Sequence, residues 1–152
     1  FARVSYTPER GHHASHFFYE LAPDAVEFYR GRDVKLISSD DGIIAYSLGI
    51  PTMSGIGLAL DQQAIDRIGD QRRTPFPRLY DLALERGFDR VTSYLYTEAK
   101  YRNRPIGENP TSRDLRRFFH LISGDTLRSH QLALDYRSDD GRFVVARVVP
   151  PR

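Results

Sequence analysis

The sequence predicts an α+β domain: a mixed, mainly antiparallel sheet with about three helices packed on it. Three observations predict it. The stretch Leu79 to Ile122 reads helix, strand, loop, helix, and the hairpin Leu132–Val149 follows it. Asp-Gly dipeptides stand at 41–42 and 140–141. Each is a two-residue hairpin signal, because both central positions take positive φ, which Asp tolerates and Gly prefers. Finally, 152 residues of which 40% are hydrophobic suit one domain with one core. Residues 1–152 are therefore read as a single domain. The start at Phe1 rather than Met suggests excision from a longer chain.

In order, Ala2–Tyr6 reads as a short alternating strand before the polar turn Thr7–Gly11. His16–Leu21 is aromatic and strand-like, and Pro23 breaks it. Val26–Tyr29 and Val34–Ile37 read as further strands, separated by Gly31. Ile43–Leu48 is the expected return strand of the first hairpin, ended by Pro51. The middle is helical: Leu58, Gln62, Ile65 and Ile68 recur at helix spacing, and Gly69 stops them. Pro75 and Pro77 suit the first turn of the next helix. Phe76, Leu79, Tyr80 and Ala83 form its apolar face, and Gly87 is its C-cap. Arg90–Tyr96 is a strand with Val91, Ser93 and Leu95 on one side and Thr92, Tyr94 and Tyr96 on the other.

Thr97–Pro110 is a polar loop. Asn109 or Thr111 caps the next helix, with Asp114 in its first turn. Leu115, Phe118, Phe119 and Ile122 are its buried stripe, and Gly124 ends it. Gln131–Tyr136 and Arg142–Val149 form the closing hairpin. The tetrapeptide SDDG occurs at 39–42 and at 138–141. With unlike flanks, it reads as repeated turn chemistry rather than duplication.

Composition excludes several classes. There is no cysteine, so disulfides, thiolate nucleophiles and cysteine-ligated zinc are out. No apolar run approaches the roughly 20 residues of a membrane span, and no signal-peptide pattern opens the chain. The expected location is the cytoplasm, or delivery from a bacterium as part of a larger protein. Net charge is only +2, but all but two of the 22 basic residues are arginine, the exceptions being Lys35 and Lys100. Arginine favours bidentate contacts to carboxylate and phosphate. Their scatter along the chain equally fits a GC-rich codon bias.

Two stretches carry a family resemblance. Pro51–Leu60, PTMSGIGLAL, places Gly-x-Gly before a helix, where backbone N–H groups bind pyrophosphate and glycines let it approach. Leu79–Glu98, LYDLALERGFDRVTSYLYTE, joins a helix to a strand. With the order of elements, these resemble the GCN5-related N-acetyltransferase fold, whose sheet begins with a hairpin, as at Val34–Leu48. The resemblance implies an acyltransferase that uses acetyl-CoA or another acyl-CoA on a small-molecule or protein amine. It implies Ser54, Gly55, Ile56, Gly57 and Leu58 at the coenzyme diphosphate, and Tyr94 or Tyr96 as proton donor. Thr52 stands where the family has Gln or Arg. Where the family places a tyrosine acid, the matching helix has Arg116, Phe118, Phe119 and His120.

The residues suggest two other readings. His12, His13 and His16 form the densest titratable cluster. Imidazoles can serve as acid and base on a phosphodiester, so a histidine-dependent nuclease, toxin or effector domain with His13 and His16 catalytic is an alternative. No metal site is assigned to them, and a solvated turn accounts for them equally. The loop from Tyr94 interleaves Tyr96 and Tyr101 with Lys100, Arg102 and Arg104. Aromatics stack on bases and cations meet phosphates. Tyr101, Arg102 and Arg104 are thus candidate substrate contacts, for a coenzyme, a nucleic acid or an acidic protein. The last would make the chain a non-enzymatic interaction module. A serine-nucleophile elbow, a P-loop and G-x-G-x-x-G are all absent.

Overall fold

The computed structural model describes residues 17–38, 43–54, 61–68, 76–94, 104–119 and 130–150. A π-helical turn, Phe17–Leu21, runs into α1 (Ala22–Tyr29). There follow β1 (Leu36–Ser38), α2 (Ile43–Leu48), β2 (Thr52–Ser54), α3 (Gln62–Ile68), α4 (Phe76–Glu85), β3 (Arg90–Tyr94), α5 (Ser112–Phe118), β4 (Gln131–Arg137) and β5 (Phe143–Val149). The α+β class and the mixed sheet are as expected, with five α-helices among the described residues rather than about three. None of them is long and apolar enough to cross a membrane.

The extra helices lie where strands were expected. Phe17, Leu21, Ala25 and Tyr29 are all buried at a spacing of four while Tyr19, Pro23 and Glu27 midway between them are exposed, which is a helix stripe and not a strand face. Pro23 does not break this segment. It sits in the first turn of α1, where its missing N–H has no partner to lose. Ile43–Leu48 is likewise helical. Ile44 and Leu48 are buried one turn apart, while Tyr46 between them is exposed. The hairpin Val34–Leu48 is therefore not formed. Its first strand survives as β1, which pairs in parallel with β2. Ala2–Tyr6 and the turn 39–42 lie outside the described residues.

The five strands are ordered β2-β1-β3-β5-β4. β1 runs parallel to both neighbours, with Ile37 opposite Met53 and Val91. Parallel neighbours require a crossover rather than a tight turn. α2 lies on the connection from β1 to β2, and α3 and α4 on that from β2 to β3. β5 is antiparallel to β3 and to β4. Two pairings are thus parallel and two antiparallel.

Apolar clusters cover both faces. On one face Ile37, Val91, Val144, Ala146, Val148 and Leu132 pack with Ala83 of α4 and Leu115 and Phe118 of α5. On the other, Leu36, Phe143 and Val145 pack with Phe17, Leu21, Ala25, Ile44 and Leu48. The two crossovers leave β1 and β2 in opposite directions across the sheet. Connections of one hand then put their helices on opposite faces, as α2 and α4 are.

The predicted boundaries of α4 hold. Phe88 N–H donates to Ala83 O at 2.8 Å and Gly87 N–H to Leu84 O at 3.0 Å, closing the helix in a Schellman motif. α3 begins at Gln62, later than Leu58. Asp61 caps it, accepting from Ala64 N–H at 2.9 Å.

A candidate anion-binding site at the carboxyl edge of the sheet

β1, β2 and β3 are parallel, so their carboxyl ends, Ser38, Ser54 and Tyr94, lie along one edge. β4 shares their direction, which puts the β4–β5 turn on that edge too. β1 and β3 are neighbours whose following connections depart in opposite directions. Open α/β sheets take ligands at such a switch point, outside the carboxyl ends of the strands.

The segment Arg104–Gly107 is fastened to this edge. Ile106 N–H donates to Gly141 O at 2.9 Å. Arg137 Nε donates to Ile106 O at 2.9 Å, and its Nη1 to the carbonyls of Ser138 and Asp139 at 2.9 and 3.1 Å. The second SDDG turns the hairpin as expected, but not as a two-residue Asp-Gly turn: Gly141 N–H donates to Ser138 O at 2.8 Å, so Asp139 and Asp140 are its central residues. Ser138 Oγ donates to Asp140 Oδ1 at 2.6 Å and accepts from Phe143 N–H at 3.0 Å. Gly141 has φ +68°, and a Cβ there would lie 2.4 Å from Ile106 O. Only glycine lets the two segments meet.

Between this segment and α5 opens a cavity of about 420 Å³, lined by Arg104, Pro105, Ile106, Gly107, Asp114, Arg117 and Phe118. Thr111 caps α5 in preference to Asn109. Its hydroxyl accepts from Asp114 N–H at 3.2 Å, while Asp114 Oδ2 accepts from Thr111 N–H and Oγ1 at 2.9 and 2.6 Å. These bonds, from the hydroxyl first and the amide second, hold the Asp114 carboxyl below its ordinary pKa, with Arg117 and Arg113 adding to the effect. Asp114 and Arg117 are three residues apart and share a helix face. Among the described residues, neither Arg104 nor Arg117 forms an ion pair within 4 Å.

A second cavity, of about 290 Å³, lies at the opposite edge against Val34, Ile50 and Pro51. Its arginines are engaged. Arg30 pairs with Glu27 at 2.7 Å, and Arg32 sits 4.0 Å from the centre of the Phe28 ring. Tyr29 on its wall donates to Asp135 Oδ2 at 2.8 Å.

The sequence candidates fall unevenly on this frame. Arg104 lines the carboxyl-edge cavity. Ser54 and Tyr94 end their strands on that edge, described by backbone alone. Gly55, Ile56, Gly57, Leu58, Tyr96, Tyr101, Arg102, His12, His13, His16 and His120 lie outside the described residues. Arg117 and Asp114 were missed as site residues. Their spacing with Thr111 is the available signal, and in sequence it signals only a helix cap. No protein-family model, curated protein or solved structure matches this chain.

Proposed function

We propose that this domain binds a phosphate-bearing small molecule at the carboxyl edge of β1, β2 and β3, and that the ligand is a coenzyme A thioester whose acyl group passes to an amine. One observation carries the reading. β2 ends at Ser54 beside the switch point, and Gly55-Ile56-Gly57 follows it directly on the way to α3. A strand, a glycine-rich connection and a helix, in that order, suit phosphate binding by main-chain amides. Asp61 already occupies the N-terminus of α3, so the phosphates fall to the amides of residues 54–58. In the reaction the amine nitrogen attacks the thioester carbonyl. A C–N bond forms, the C–S bond breaks, and the amine proton is released. Tyr94 or Tyr96 protonates the leaving thiolate, and backbone donors hold the carbonyl oxygen.

The test is thermal unfolding with acetyl-CoA, coenzyme A and adenosine. A ligand at a hundredfold its Kd adds about 2.7 kcal/mol to the folded state. Acetyl-CoA and coenzyme A should raise Tm where adenosine does not, and Gly55→Val with Gly57→Val should erase the shift. No shift with either coenzyme rejects the reading.

A further inference from the structure

We propose that the cavity between Arg104–Gly107 and α5 recognises a phosphorylated sugar, with Arg104 and Arg117 on the phosphate and Asp114 accepting from a sugar hydroxyl. The cavity lies on the same carboxyl edge but toward the β4–β5 turn, and the proposal does not require acyl transfer. Arg104 and Arg117 line one cavity, and neither has an ion-pair partner within 4 Å among the described residues; Arg117 feels the Asp114 carboxylate only at longer range. A carboxylate offers two oxygens and is filled by one arginine fork, whereas a phosphate monoester offers three oxygens and takes two. Asp114 argues against a second anionic group. Its Oδ2 is held by Thr111, and Oδ1 has no hydrogen-bond partner among the described residues. A carboxylate oxygen in that state accepts from a neutral hydroxyl. The volume of about 420 Å³ lies within the roughly 300–1,000 Å³ of small-molecule clefts and exceeds what a bare phosphate fills. Pro105, Ile106 and Phe118 give the ring an apolar floor. Both walls are set before binding. Ile106 is clasped by Gly141 and Arg137, and α5 is fixed by its capping box, so little ordering is left to oppose association. The cavity at the other edge lacks these properties, since its arginines are already engaged.

Calorimetric titration of the intact chain with ribose 5-phosphate, AMP, ribose, inorganic phosphate and citrate tests this. Ribose 5-phosphate and AMP should bind, and ribose should not. Arg104→Gln and Arg117→Gln should each weaken ribose 5-phosphate by roughly ten- to a hundredfold, the loss of one hydrogen bond to a charged group. Asp114→Asn should weaken ribose 5-phosphate without weakening inorganic phosphate. Both arginines are exposed, and circular dichroism of each variant checks that the fold is kept. Absence of binding, or binding indifferent to both arginine variants, overturns the proposal. Citrate matching ribose 5-phosphate overturns the phosphate assignment, and inorganic phosphate matching it overturns the sugar. Acetyl-CoA separates the two readings. If ribose 5-phosphate binds through Arg104 and Arg117 while acetyl-CoA does not bind, this site stands and acyl transfer falls. If acetyl-CoA stabilises the chain and the arginine variants change nothing, the reverse holds.

Discussion

Gly141 and Gly31 separate two costs of replacing a glycine. Both have positive φ, +68° and +71°, but a Cβ on Gly31 meets nothing within 4 Å while one on Gly141 runs into Ile106 O. Gly31→Ala should therefore cost only the left-handed strain, about 1–2 kcal/mol. Gly141→Ala adds a backbone clash and should cost about 2 kcal/mol more. Urea denaturation of the pair reads the difference directly, and equal losses would mean that the clasp on Ile106 is loose. Tyr29 offers a pH test at the same scale. Burial first, and the bond to Asp135 second, push its phenol far above the ordinary value of 10.0. Burial first, and the Asp24 carboxylate second, push Tyr136 up to about 12. Folding therefore favours the protonated form of both. Their contribution is complete below pH 10 and is lost as pH rises through the folded values. The urea midpoint should fall between pH 10 and 12, and Tyr29→Phe should flatten that fall. A wild-type midpoint constant over that range would contradict the burial of both phenols.

Among elements, the legible ones were those whose boundary chemistry is local. Gly87 closes α4, the capping box Thr111–Asp114 opens α5, and Ser138–Gly141 turns the last hairpin, all within a few residues of sequence. Thr111→Ala removes the hydroxyl that caps α5, a helix of only seven residues. It should cost about 1 kcal/mol in thermal or urea unfolding. Thr111→Ser should cost much less, because the hydroxyl survives, and equal losses would point to the methyl group instead. The illegible elements were those decided by distant partners. Val26–Tyr29 and Ile43–Leu48 are rich in β-branched and aromatic residues, which suit strands locally. Each becomes a helix because a stripe spaced by four meets the sheet face, where Phe143 and Val145 wait more than ninety residues further on. The bulge in β4 is equally non-local. Leu134 pairs with Ala146 and Tyr136 with Val145, so one extra residue, Asp135, stands in the strand. Leu134 and Tyr136 thereby reach opposite faces of the sheet, and Asp135 meets Tyr29 and Arg90. Alternation alone would have put both side chains on one face.

At the scale of the whole molecule the sheet is a shared wall between two apolar layers. This accounts for what sequence could and could not say about the site. Arg104 was visible as a cation in a polar loop. Its companions Arg117 and Asp114 came into view only once the β4–β5 turn, more than thirty residues beyond, pinned Ile106 and set α5 opposite it. The same coupling makes a stability prediction. Ile44 of α2 and Leu115 of α5 are each fully buried, in different clusters on opposite faces. Ile44→Ala and Leu115→Ala should each cost about 2–5 kcal/mol through lost burial and the cavity left behind. Both faces hang on the same central strands, with Leu36 turned to one layer and Ile37 to the other. Loss of either layer exposes β1 and should unfold the rest. Each variant should therefore show one two-state urea transition with the wild-type m-value. Because the two sites share no cluster, the double variant should lose the sum of the single losses to within about 0.5 kcal/mol. Fluorescence and circular dichroism transitions that separate in either single variant would mean that the two layers fold as independent units, with the carboxyl-edge cavity belonging only to the layer that contains α5.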